Sequence, residues 1–575
     1  MERRRSRSFT WLMALLGTFL LTPTLGVLGQ EATPGASPVA GGEVIQSLTR
    51  EQMRAQIDES LEYSEAATQG GTFVDATVSD IRSLNPFLAE DEITLGIASL
   101  LFEGLTGGDP VTGQPAPIGL ADRWEIAADR VTYTYFLNKD VKWHDGVDFT
   151  AEDVQFSYDA LADPATGSAY TGAFLSAVAS YRVVDADTFE VVAKEPLASF
   201  LYDTQGLYIV PKHIWESVPH DQWAADPAST GQDPSRIIGT GPFKFQEWQQ
   251  GESVTLVRND DYYGKVPYID EYVLRIWPDQ QQAVNALING EIDAAGLEAQ
   301  DVATVEGVEG VSVATYPSRS FTFYEFNLDP AITTLFQEVL VRQAMMYALD
   351  RESMVNDILL GYGEVAQGTQ PLISYAYAPE RNSLRYNYDP ERARQLLAEA
   401  GWADSNGDGT VDKDGQELAF EFLHPSGSPT TDQLAAYMQD AWSQVGIGAT
   451  PRALEFSALV EVLTVSHAFD LVILGFGWDA SFIQSAMFDC DQYGVGFNDM
   501  RYCNPRIDEL NAQARREFDP ERRADLLIEV SNIVNEEQPV SVLYFRESIV
   551  AFSDRLRNYT PGPWGLEISY VWIQE

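Results

Sequence analysis

Five histidines, two cysteines and a large excess of Asp and Glu bound the chemistry open to this 575-residue chain. His144 stands directly before Asp145 in VKWHDGVDFTAEDV, residues 141–154. Such a pair serves a general base or a metal only when further groups converge on it. No such group is near in sequence, since the other histidines are His213, His220, His424 and His467. Residues 131–137 (VTYTYFL) alternate like a half-exposed strand, and Asp145-Gly146 is a turn dipeptide. Thr150 with Asp153 makes a capping-box start for a helix carrying Val154, Phe156 and Tyr158. His144 is therefore expected to be scaffolding in a strand–turn–helix connection.

Other reactive constellations are sparse. There is no G-x-S-x-G elbow and no H-E-x-x-H. Gly361-Tyr362-Gly363 with Ala366 fits G-x-G-x-x-A, but it follows a helical pattern where the dinucleotide motif must follow a strand. Residues 104–113 are Gly-rich without the G-K-[ST] of a phosphate loop.

Residues 469–479 (FDLVILGFGWD) are more informative. A strand would deliver Gly475, Phe476, Gly477, Trp478 and Asp479 at its C-terminal end, where open α/β sheets place ligands. The glycines permit close backbone approach and Trp478 offers a flat apolar wall; a core Trp ending a buried strand is the plainer alternative. Asn85 in SLNPF, Asn327 in FTFYEFNLD and Tyr375 in PLISYAYAP are further binding candidates, with turn or packing roles equally open.

Residues 404–415 (DSNGDGTVDKDG) set Asp404, Asn406, Asp408, the Thr410 carbonyl and Asp412 at calcium-loop positions 1, 3, 5, 7 and 9, with Gly409 at 6. Position 12 is Gly415 where a bidentate Glu should stand, and surface turns share this sequence, so a structural calcium and an ordinary turn both remain open. Cys490 and Cys503 are the only cysteines, and in an exported chain they read as a disulfide worth roughly 3 kcal/mol.

The elements that must position these residues alternate along the chain. Asp389-Pro390 opens a helix with Ala393, Leu396, Leu397 and Ala400 inward and Gly401 after it. Asp350 caps another, with Met354, Val355, Ile358 and Leu359 inward. Asp519-Pro520 opens a third, carrying Leu526, Leu527, Val530, Ile533 and Val534. Runs 183–192, 253–257, 471–476 and 540–545 read as strands. Interleaved strands and helices over this length argue for α/β lobes.

A formal net charge of −49 sets nucleic acid and anionic membrane surfaces aside as partners. Arg3, Arg4, Arg5 and Arg7 precede an apolar run over residues 9–21, and small residues follow at 27–29, the layout of a cleaved secretory signal. An uncleaved anchor has a similar length. No cysteine follows the run, so no lipid-modified Cys ends it. Residues 30–42 form a Pro/Gly linker, and 43–66 read as a polar helix of no assigned role.

The stretch VKWHDGVDFTAEDVQFSYDAL resembles the signature segment of the family 5 extracytoplasmic solute-binding proteins, the peptide-, nickel- and oligosaccharide-capturing receptors of ABC importers. SDIRSLNPFLAEDEITLGIASLLFEGLTGGDP, IIGTGPFKFQEWQQGESVTLVRNDDYYG, VRQAMMYALDRESMVNDILLGYGEVAQGTQP, YDPERARQLLAEAGW and YCNPRIDELNAQARREFDP are similar to further segments of that family, in the same order. The resemblance implies an α/β, two-lobed periplasmic-binding-protein-like fold around a cleft. The first main lobe would be 71–112, 196–313 and 542–575, the extra small lobe 113–195, and the second main lobe 314–541. It implies a monomeric, non-catalytic receptor that hands a small solute or oligopeptide to permease subunits, with Phe476, Gly477, Trp478 and Asp479 in the cleft. In the family's peptide receptors an Asp three positions after the Trp pairs with the peptide amine; here that position is Ser481. A secreted hydrolase of peptides or glycans is the alternative, and an extracytoplasmic sensor or scaffold a third reading.

Overall fold

The computed structural model describes residues 44–61, 67–89, 91–168, 170–494 and 496–574. The expected signal segment 1–29 and the expected linker 30–42 lie outside these. The chain forms two compact units. The first holds the described residues up to Ala295 with Phe552–Thr560 and the described part of 566–575; the second is Gly296–Ala551 with Pro561–Gly565. The chain passes between these units at 295/296, 551/552, 560/561 and 565/566.

Two sheets build the first unit. Thr72–Thr77 runs parallel to Glu271–Ile276, and the antiparallel strands Ser253–Arg258 and Phe243–Gln249 complete a four-stranded sheet. The other sheet is five-stranded and antiparallel, in the order Ile45–Gln46, Ala121–Ile126, Thr132–Leu137, Thr188–Ala193, Val178–Asp185. The alternation of VTYTYFL is realised with Tyr133, Tyr135 and Leu137 buried. The run expected as one strand over 183–192 is instead a hairpin, because Asp185 accepts from the Asp187 N–H and turns the chain.

The polar segment before residue 66 has a place in this unit. Ile45–Gln46 adds an edge strand opposite Ile126 and Glu125. Helix Arg50–Ser60 follows a Thr49/Gln52 capping box and buries Met53 and Ile57 with Ala116 and Tyr570. Two apolar residues four apart suffice to dock an otherwise polar helix.

In the second unit the strand order is Ala294–Leu297, Val540–Ser553, Val311–Phe326, Leu471–Gly477, Ala419–Pro425, Gly448–Leu454, with Gly363–Val365 also paired to Val540–Ser553. The pairing of Ser320 with Gly477 through Phe326 with Leu471 sorts side chains onto two faces. Tyr324, Phe326, Leu471 and Ile473 enter one core with helices Val339–Tyr347, Pro390–Glu399 and Pro429–Ser443. Phe321 and Phe323 enter another with Trp478 and helices Pro505–Arg516 and Pro520–Glu537. The Asp389 and Asp519 caps stand as expected, each with Pro in the first turn. The helix capped by Asp350 differs: after Arg351–Ser353 it widens into a π turn over Met354–Ile358.

Candidate functional site

His144 lies in the first unit, and its bonds account for its place in the sequence. Its backbone N–H donates to the Gly239 carbonyl at 2.8 Å, and Nδ1 accepts from the Gly239 N–H at 3.1 Å. Nε2 lies 3.0 Å from the Gly241 carbonyl, so the neutral ring carries its proton there. Gly239 and Gly241 in turn press on the end of helix Glu92–Leu101, where a methyl on either would overlap a backbone carbonyl. Burial holds the imidazole down at about 4. Thus WHDG and GTGP, far apart in sequence, form one clip. Asp145 pairs instead with His213 at 2.8 Å.

The segment singled out for binding lies in the second unit. Leu471–Gly477 runs from a buried start to an exposed Gly475, with Phe476 and Gly477 half-buried. Trp478 is only 4% exposed. It stacks on Phe321 at 5.5 Å, meets Phe476 at 5.0 Å, and donates its indole N–H to the Thr369 carbonyl at 2.8 Å. The indole is thus a core ring of its own unit, with its polar atom already satisfied, where the sequence expected a cleft wall.

Asp479 is exposed and closes a tight turn. Its Oδ1 accepts from the Ser481 N–H at 2.8 Å and from the Ser481 hydroxyl at 2.5 Å, while its carbonyl accepts from the Phe482 N–H at 3.1 Å. Oδ2 has no hydrogen bond among the described residues. Phe482 takes a left-handed φ of 54° although it is bulky and buried, a conformation that costs about 1–2 kcal/mol. The turn is held in place from outside. Tyr375 donates its hydroxyl to the Ser481 carbonyl at 2.6 Å, and Gln370 donates to the Phe482 carbonyl at 3.2 Å. Phe482 meets Tyr375 and Trp564 edge-on, and the Arg319 guanidinium lies 5.4 Å from the Trp564 ring.

Tyr375 therefore joins Trp478 and Asp479 in one locality. Asn327 does not: it is buried in a turn, donating to the His467 carbonyl at 2.9 Å and accepting from the Asp329 N–H at 3.0 Å. Asn85 belongs to the first unit, is fully buried, and caps the short helix Pro86–Leu88 by accepting from Phe87 at 3.0 Å. The Asn327 side chain serves the backbone through both its polar atoms, and Asn85 through its oxygen alone, its buried Nδ2 having no partner among the described residues. Arg319, Phe482, Phe497 and Trp564 went unremarked in the sequence, because no period or motif links positions so far apart.

In the loop at 404–415 the carboxylates bond to the loop's own backbone and side chains. Asp404 accepts from the Gly407 and Gly409 N–H groups, Asp408 from Thr410 and Asn406, and both Asp412 oxygens from Ser405. The Asn406 oxygen serves the Asp408 N–H, Thr410 contributes only its carbonyl, and Gly415 supplies no ligand at position 12. Among the described residues no three carboxylate, imidazole or thiolate groups gather as a metal site. Cys490 and Cys503 are joined in a disulfide.

Comparison with known proteins decides the family. Residues 117–493 match the bacterial extracellular solute-binding proteins, family 5 Middle. The chain belongs to this family. It is 30% identical over 500 residues to the oligopeptide-binding protein AppA of Bacillus subtilis, covering 86% of this chain and 90% of that one. The structure of AppA in complex with a nonapeptide superposes with a TM-score of 0.73 at 28% identity, over 88% of this chain and 100% of AppA. NikZ from Campylobacter jejuni, in complex with Ni(L-His), gives 0.72 at 28% identity over 88% and 99%. A Brucella ovis protein named as an ABC transporter peptide-binding protein is 30% identical over 454 residues, 78% of this chain and 82% of that one. The α/β, two-lobed solute-binding fold and the receptor function are thereby established; the hydrolase alternative finds no support among these relatives.

Proposed function

We propose that this chain captures a peptide, or a small solute with a peptide-like amine, at the C-terminal end of strand Leu471–Gly477 and delivers it unaltered to the permease subunits of an ABC importer. The observation that carries the peptide reading is the turn at 479–482. The position that pairs with the peptide amine in the family's peptide receptors is Ser481, a residue without charge. Here its hydroxyl is bonded to Asp479 Oδ1, so an exposed carboxylate, whose Oδ2 has no hydrogen bond among the described residues, stands beside that position. An ammonium group would find there a charge-assisted acceptor. The likeness to AppA over most of both chains supports the same class of ligand. On this reading residues 1–29 are removed on export, the mature chain carries no lipid, and it works as a monomer outside the cytoplasm. No helix among the described residues is long and apolar enough to cross a membrane.

The test is direct identification of the ligand. Protein beginning at residue 30, purified from an exporting host, is examined by native mass spectrometry and then denatured to release what it carries. A peptide is expected; a released metal chelate or oligosaccharide would overturn the peptide reading and leave the family assignment standing.

A further inference from the structure

With Trp478 packed away, a different ring is left at the surface of this locality. Phe497 is 36% exposed and lies 4.9 Å from Phe476, which in turn contacts Trp478 at 5.0 Å and Phe321 at 6.0 Å. The run Phe321–Phe476–Phe497 thus passes from a fully buried ring through a half-buried one to an exposed one. Its exposed end is mounted on a braced loop. Cys490 and Cys503 close the loop covalently. Inside it Asn498, fully buried, donates to the carbonyls of Asp489 at 3.0 Å and Tyr502 at 2.7 Å and accepts from the Tyr502 N–H at 2.9 Å. The Phe497 N–H is bonded to the Ala486 carbonyl at 2.7 Å, and the Met500 carbonyl to the Leu328 N–H at 2.9 Å. An exposed aromatic on so constrained a backbone loses little further freedom on meeting a ligand, which is how binding hot spots are built.

We infer that Phe497 is the ring that receives an apolar side chain of the solute, and that the Cys490–Cys503 loop is the mount that sets its position. The inference rests on the proposed peptide reading and deepens it: Asp479 would hold the amine, and Phe497 would select the side chain.

The probe is an equimolar mixture of tri- to nonapeptides of varied sequence. Captured peptides are recovered from saturated protein and sequenced by mass spectrometry. Wild type should capture a set enriched in aromatic and branched aliphatic side chains at one position. In Phe497→Ala that preference should fall about tenfold. The melting temperature should move little, since the ring is over a third exposed. Phe497→Leu, which keeps an apolar contact with Phe476, should lose preference for aromatic side chains and retain it for aliphatic ones. If both variants capture the same set as wild type, Phe497 plays no part in selection and the inference falls while the peptide reading stands. If wild type captures no peptide from the mixture, the peptide reading itself fails and takes the inference with it.

Discussion

Trp478 and Asp479 were singled out together, yet their environments assign them different tasks. Removing a stacked indole whose N–H is bonded leaves a cavity and an orphaned carbonyl. Trp478→Ala should therefore destabilise the chain by about 3–5 kcal/mol. Asp479→Asn preserves the oxygen that caps its turn and should leave the melting temperature within a few degrees. It should nevertheless weaken amine-bearing peptides roughly tenfold, the scale of one charge-assisted hydrogen bond. Calorimetric titration beside a thermal scan separates the two effects; a variant with unaltered peptide affinity would remove Asp479 from the site. His144 makes a pH prediction. Its folded pKa of about 4 lies below the ordinary value of 6.5 because burial disfavours the imidazolium. The unfolded chain then binds more protons between these values, so this contribution is complete above about 6.5 and is lost as pH falls towards 4. Asp75, pushed up to about 6 by burial, acts in the opposite sense, so the wild-type curve alone is ambiguous. A glutamine side chain in place of the imidazole could accept and donate like the neutral ring. The gap in melting temperature between wild type and His144→Gln should shrink, or reverse, from pH 7.5 to 4.5; a constant gap would contradict the assigned protonation.

At the scale of elements, the helices with Asp-Pro starts were legible because start signal and apolar period coincide, as at Asp389 and Asp519. The hairpin inside 183–192 was not, since one Asp-mediated turn within a β-branched run leaves the period nearly intact. The docking of residues 44–61 was hidden for another reason: its partners Ala116 and Tyr570 are remote in sequence. Ile57 is 1% exposed, so Ile57→Ala should cost about 2 kcal/mol or more, measured by denaturant unfolding. A cost near zero would return the helix to the linker. The acidic loop at 404–415 is expected to act through hydrogen bonds alone. Asp404→Ala should lower stability by about 1 kcal/mol, through its lost bonds to Gly407 and Gly409, equally in EDTA and in millimolar calcium. A calcium-dependent melting temperature in the wild type would contradict that account. Of the candidate site, the strand and its glycines could be read from composition. The choice between core and cleft wall for Trp478 could not, because its partner is a carbonyl at Thr369, 109 positions away in the chain.

For the whole molecule, an acidic chain with scattered histidines and an ordered set of family motifs leads to a receptor that binds and releases. The single clip formed by WHDG and GTGP stabilises the first unit, while the groups assigned to the solute stand on the second. The claim that joins these observations is stoichiometric capture without chemistry. It is tested most directly by incubating purified protein with an excess of defined peptides and analysing both the bound and the free pools over many hours by liquid chromatography and mass spectrometry. The account predicts at most one equivalent of intact peptide per chain and a free pool of unchanged composition. Altered peptide accumulating beyond one equivalent, and abolished by a point substitution in the protein, would contradict it.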